Sequence, residues 1–153
     1  MHELQVEHFT VKRWTIWRGS FYNTYQRLDK APVFSPNNQY FVATLLNNMQ
    51  ISTLSRKLRT SEPFTITFDS WEAMNEVKLR VCCDDICTPS TFDKSHQKIN
   101  RTWRRLSLRC PRNIHKVSFE CINFGNRRGA CGIDNFMLKS NSCTEETLSF
   151  FII

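Results

Sequence analysis

The sequence predicts an all-β protein, an antiparallel β-sandwich of jelly-roll type. Three observations carry that expectation. Apolar and polar residues alternate at period two in several short runs, of which Phe64-Thr65-Ile66-Thr67-Phe68 is the cleanest. Turn-forming residues separate the runs at roughly 8–12-residue intervals, the rhythm of a sandwich or jelly roll. Twelve phenylalanines against four glycines suit packed strands better than a disordered chain.

In chain order, residues 1–12 are polar and mixed and read as a flexible lead-in segment. Residues 13–18, RWTIWR, read as a first strand. Gly19, Pro32, Pro36 and Asn37-Asn38 make residues 19–38 mostly loop. Residues 40–46 are aromatic and β-branched, and Asn47-Asn48 turns the chain into a strand and bend over 49–58. Pro63 fits the start of the 64–68 strand. Residues 69–76 read as a connection to Val77-Lys78-Leu79-Arg80-Val81, where lysine and arginine point outward. Residues 82–98 read as a long polar loop.

Residues 103–110 alternate again, with Leu106, Leu108 and Cys110 on one side and Arg105, Ser107 and Arg109 on the other. Pro111-Arg112-Asn113 turns the chain. Val117, Phe119 and Cys121 alternate with Ser118 and Glu120. A polar, glycine-bearing turn follows over 123–129, then an apolar run from 133 to 138 that contains Asp134 and Asn135. The domain is expected to cover 13–143, with 144–153 as a tail.

The stretch 117–143 resembles the end of a MAM domain, an extracellular adhesion module. The residues that carry the likeness are Phe119-Glu120, the loop from Gly125 to Gly129, Gly132-Ile133-Asp134-Asn135 and the closing Cys143. Upstream, residues 38–42, 53–55, 64–68, 77–81 and 103–106 are similar to successive strands of that family. The resemblance implies a jelly-roll β-sandwich that acts as a non-catalytic extracellular interaction module. It implies a protein partner, a second copy of the chain being one candidate.

The bulk numbers agree with a single globular unit. A chain of 153 residues is one domain by length and buries about two-thirds of its unfolded surface. The net charge of +7 is concentrated: residues 77–143 hold 13 of the 21 basic residues but only 5 of the 14 acidic ones. Such a basic half meets nucleic acid, anionic glycans or an acidic protein, or simply keeps a sheet soluble.

Seven cysteines without a Cys-x-x-Cys pair favour disulfides in an oxidising compartment over zinc. The expected location is therefore extracellular, secreted or on a cell-surface ectodomain. Residues 1–17 hold no apolar core of signal-peptide length, which leads to the expectation that the chain is incomplete at its start. Residues 150–153 are far too short to span a bilayer, and no membrane insertion is expected.

Cys121 and Cys131 are equidistant from Asn126, and a hairpin about that turn would bring them face to face. A disulfide needs Cα atoms about 4.4–6.8 Å apart, which opposed strand residues satisfy. Cys83 and Cys87, across Asp84-Asp85-Ile86, form a second candidate pair. Asn100-Arg101-Thr102 is a glycosylation sequon.

Candidate chemistry is sparse. His2, His8, His96 and His115 lack ligand spacing, and no hydrolase or phosphate-loop motif occurs. Asp69, Asp84 and Asp85 carry oxygens suited to calcium, but not at the spacing of a calcium loop. Asp134 and Asn135 read as a polar pair that caps loop amides. No cofactor and no catalysis are expected.

The densest basic set is Arg101, Arg104, Arg105, Arg109, Arg112 and Lys116, with Trp103 among them. Basic residues interleaved with an aromatic suit phosphate contacts and base stacking. The alternative is that Arg105 and Arg109 guard an edge strand while Trp103 anchors the core. The expectation is weak, salt-labile binding to sulfated glycans, with nucleic acid disfavoured.

Overall fold

The computed structural model describes residues 10–18, 21–22, 27–28, 40–73, 76–89, 103–140 and 145–147. These form thirteen strands and, among the described residues, no helix. The first are β1 (Thr10–Lys12), β2 (Thr15–Arg18), β3 (Phe21–Tyr22) and β4 (Arg27–Leu28). Then come β5 (Tyr40–Leu46), β6 (Gln50–Lys57), β7 (Phe64–Ala73), β8 (Val77–Cys83) and β9 (Ile86–Pro89). The last are β10 (Arg104–Cys110), β11 (Lys116–Asn123), β12 (Gly129–Ser140) and β13 (Glu145–Thr147).

Two sheets hold them. One runs β1-β6-β11-β8-β9; the other runs β10-β7-β12-β5-β2, with β13 beside β12. Strands β3 and β4 pair with each other. Among the described residues every pairing is antiparallel except β1 with β6. The connectivity is that of a jelly roll. Strand β5 pairs with β12, β6 with β11, β7 with β10, and β8 with β9. The eight strands thus form one long antiparallel hairpin, tipped at Asp84-Asp85 and rolled so that its paired strands alternate between the sheets.

Period-two patterning fixes which side of each strand faces inward. Phe64, Ile66 and Phe68 of β7 are buried against Leu79 and Val81 of β8 and Val117 and Phe119 of β11. Phe119 meets Phe68 and Phe136 edge-on, with ring centroids 5.0 Å and 5.6 Å away. Each such side chain contributes about 1.5–3 kcal/mol relative to exposure. The burial of β10 alternates as expected, with Leu106, Leu108 and Cys110 inward. A second cluster, Phe41, Ala43, Trp71 and Ala130, packs on the opposite face of the six-stranded sheet with Leu45 and Trp103.

Several sequence expectations need correction. Thr10–Lys12 is not a loose lead-in but an edge strand on β6, and Glu145–Thr147 is not tail but strand on β12. Short polar strands carry too little periodicity to register alone. Strand β7 continues through the expected linker to Ala73, because Trp71 has its own apolar cluster to join. The expected loop after Cys82 instead completes β8 and returns as β9. Asp84 makes that turn with a φ of 51°, a left-handed conformation that Asp tolerates.

The cysteines pair as Cys82–Cys87, Cys83–Cys110 and Cys121–Cys131. The expected Cys83–Cys87 bond does not form. Register places Cys87 opposite Cys82 on the same side of the sheet, while Cys83 faces the interior and reaches Cys110. Cys121 and Cys131 are joined at 6.1 Å between Cα atoms, but not across a hairpin. Strand β11 lies in one sheet and β12 in the other, so residues 124–128 cross the sandwich and the bond ties the two sheets together. Cys143 and Asn100 lie outside the described residues.

Candidate binding surface

The structure divides the expected basic set. Arg101 lies outside the described residues. Arg104 is half-buried, and its Nε finds no hydrogen-bond partner among the described residues. Arg105 does not simply face water. Its Nε and Nη2 donate to the two carboxylate oxygens of Asp69 at 3.0 and 3.1 Å, and Asn135 Nδ2 donates to the same carboxylate at 2.7 Å. The Asp69 side chain is 2% exposed, so the arginine neutralises a carboxylate that water does not reach.

This cluster also corrects the reading of Asp69 and gives Asn135 a partner across the sheet. Asp134 opposes Asp69 and Met137 opposes Thr67, so Asn135 and Phe136 share the single partner Phe68. That is a β-bulge. Asn135 takes the left-handed conformation, with φ at 51°, and its amide donates to Asp69. Asp69 is therefore occupied, and Asp84 sits in the hairpin tip, so the three aspartates do not make a calcium site. Among the described residues, one group of three potential ligand side chains converges: Cys82, Cys87 and Glu120. Its cysteines are joined to each other, and Glu120 pairs with Arg80. Trp103 is likewise not an anchor of the inter-sheet core; it stacks edge-on with Phe41 at 5.4 Å in the second cluster.

The rest of the set meets new neighbours at one end of the sandwich. Here β6 ends, β7 and β11 begin, and β10 gives way to Pro111-Arg112-Asn113. Lys116 opposes Lys57 in register, His115 shares a groove with Arg59, and Arg112 lies on the same loop as His115. Between the loops is an open groove of about 570 Å³ lined by Arg59, Thr60, Ser61, Asn113, Ile114 and His115. Sequence spacing gives no hint of Lys57 and Arg59, because more than 50 residues separate them from Arg112. Their inclusion follows only from the β6–β11 pairing.

The groove has a fixed frame. Leu58 N donates to His115 O at 2.9 Å and Thr60 N to Ile114 O at 3.3 Å, which carries the β6–β11 ladder into the loops. Thr60 Oγ1 accepts from Ile114 N at 3.2 Å. Asp84 accepts the amides of His115 and Lys116 at 3.0 and 2.9 Å. Desolvation alone would raise the Asp84 pKa, but those two amides and the His115 ring hold it below the ordinary aspartate value.

Two other features stand apart. A cleft of about 130 Å³ enters between the sheets beside the bulge, with Leu54 and Phe119 on one side and Val42, Ile133 and Phe136 on the other. At the β2 edge, Ile16, Trp17 and Tyr40 are 65%, 37% and 53% exposed. Ile16 opposes Val42, Trp17 opposes Phe41 and Arg18 opposes Tyr40, so along this sheet edge Ile16 and Tyr40 belong to one face and Trp17 to the other.

No protein-family model matches the chain, and no curated protein matches it. Among solved structures, TmCBM61 in complex with β-1,4-galactotriose is similar at 14% identity with a TM-score of 0.42. The match covers 84% of this chain and 88% of that one, a similarity too low to bear on ligand or mechanism.

Proposed function

We propose that this chain is a non-catalytic extracellular recognition module of adhesion type, related to MAM domains, whose protein partner is a second copy of itself. The observation that carries this reading is the exposure of Ile16 and Trp17, on opposite faces of β2, and of Tyr40 on the neighbouring β5. Strand β2 is the last in its sheet among the described residues. An edge strand offers unpaired backbone groups, and exposed aromatic side chains on it are the usual anchors of protein interfaces. A two-fold pairing of β2 with its copy would bury both margins at once. Three disulfides support an oxidising, extracellular setting, as does the order of MAM-like strand motifs.

The test is clustering of beads coated with the oxidised chain, with sedimentation of the free chain beside it. The unchanged chain should cluster beads and self-associate, and Trp17→Ser/Tyr40→Ser should do neither while its thermal melt persists. Equal behaviour of the two proteins would remove the adhesion reading.

A further inference from the structure

We propose that the basic end of the sandwich is an oxyanion site for sulfated glycan chains. It is built by Lys57 at the end of β6 and Arg59 just after it, and by Arg112 and His115 on the β10–β11 loop and Lys116 at the start of β11. Four observations carry it. First, Lys57 and Lys116 are direct cross-strand partners, a like-charge pair that weakens a sheet unless an anion lies between or beside them. Second, among the described residues no carboxylate pairs with Lys57, Arg59, Arg112 or Lys116. Asp84 is taken up by two amides and the His115 ring at 3.7 Å; Glu62, at the rim, makes no ion pair. Third, Arg59 and His115 line an open groove of about 570 Å³, with Lys57, Arg112 and Lys116 at neighbouring positions in the chain, and the groove also presents the Ser61 hydroxyl and Asn113 amide as neutral donors. Fourth, the groove wall is held in place by the Thr60–Ile114 and Leu58–His115 hydrogen bonds, so an anion meets donors already positioned.

The chemistry favours a sulfated glycan over nucleic acid. A sulfate accepts several hydrogen bonds at once, and a glycan chain repeats it, matching cations spread across an end rather than gathered at a point. Among the described residues no Trp, Tyr or Phe lines the groove, so none of them offers a single strand a stacking platform there. The residues differ from the β2 margin, so the two readings stand or fall separately.

The experiment titrates the full chain, disulfides intact, with a heparin-derived oligosaccharide of defined length at two salt concentrations. Its unsulfated counterpart and a single-stranded DNA of equal charge serve as parallel probes. Binding should need sulfate and weaken with salt through counterion release. Lys57→Ser/Arg59→Ser should lose about tenfold or more in affinity and flatten the log–log salt slope by about two. That double removes an opposed like charge, so its melting temperature should not fall. Arg127→Ser/Arg128→Ser, which removes the same charge from the other end, should bind like the unchanged chain. No binding by the unchanged chain, equal losses in the two doubles, or equal affinity for the unsulfated chain or the DNA would each overturn the site.

Discussion

The two ends of the sandwich are closed in different ways. At one end, the disulfide Cys121–Cys131 ties β11 to β12, and Asn123 closes the crossing loop. Its amide donates to the carbonyls of Leu46, Asn47 and Arg127 at 3.3, 3.1 and 2.7 Å, and its carbonyl oxygen accepts from Gly125 N at 2.9 Å. Two hydrogens serve three acceptors, so the side chain has no donor left for a ligand. Gly125 is required there, since a Cβ would lie 2.7 Å from Glu76 Cβ. At the other end, Cys83–Cys110 ties β8 to β10, and Thr60 and Asp84 close the loops. Among the described residues, Lys57, Arg59, Arg112 and Lys116 around them make no ion pair and face water. A saturated, neutral, buried network is structural. An exposed set of donors held by a rigid frame is able to bind.

The comparison is broken most forcefully at the disulfides. In the chain-entropy account a longer closed loop stabilises more. The 27-residue separation of Cys83–Cys110 predicts a loss of about 3.5 kcal/mol for Cys83→Ala/Cys110→Ala. The 10-residue separation of Cys121–Cys131 predicts about 2.7 kcal/mol for the matching double. Urea unfolding should rank them in that order. Only the first should also weaken heparin binding, because only it anchors the 111–115 loop. The reverse rank would show that loop closure is not what separates the ends.

A smaller effect is expected from the polar closures. Asn123→Ala strands buried carbonyls and an amide and should cost about 2 kcal/mol or more, a shift of about 2–4 °C in melting temperature per kcal/mol. Thr60→Ala, where water reaches the groove, should cost about 1 kcal/mol or less. Equal shifts in a thermal melt would remove the contrast between a dry end and a wet one.

The smallest effect is a pH dependence confined to the basic end. The folded pKa of Asp84 is depressed, so the carboxylate contributes stability above its unfolded value of about 3.9, and that contribution is lost as pH falls through the folded value. The stability gap between the unchanged chain and Asp84→Asn should therefore be constant near neutrality and shrink under acid. A gap that widens on acidification would assign the opposite sign.

Much of the fold was legible because period two is a local property. Residues 64–68, 77–81, 103–110 and 117–121 each show alternation, and each is a strand with the expected face inward at Phe64, Val81, Leu106 and Phe119. The candidate site was less legible. Arg105 looks like a solvated edge residue because Asp69 and Asn135, 36 residues before it and 30 after it, are not neighbours in sequence. The register of Cys82 rather than Cys83 against Cys87 rests on where β8 ends and the Asp84 turn begins, a shift of one residue that moves a side chain to the other face.

What the sequence determined by itself is therefore local: which residues are extended, which side of each strand is apolar, and where the chain turns. Backbone sterics and side-chain alternation decide those within a few residues. Only the tertiary structure decided which sheet each strand joins. The turn at 124–128 holds the polar and glycine residues of a hairpin, yet it crosses between sheets because Phe119 and Phe136 pack face to edge in the core between them. The same long-range burial pairs β6 with β11, and that pairing brings Lys57 opposite Lys116 and Arg59 into one groove with His115. No local rule contains that contact, because its stabilisation comes from apolar surface buried by strands far apart in the chain.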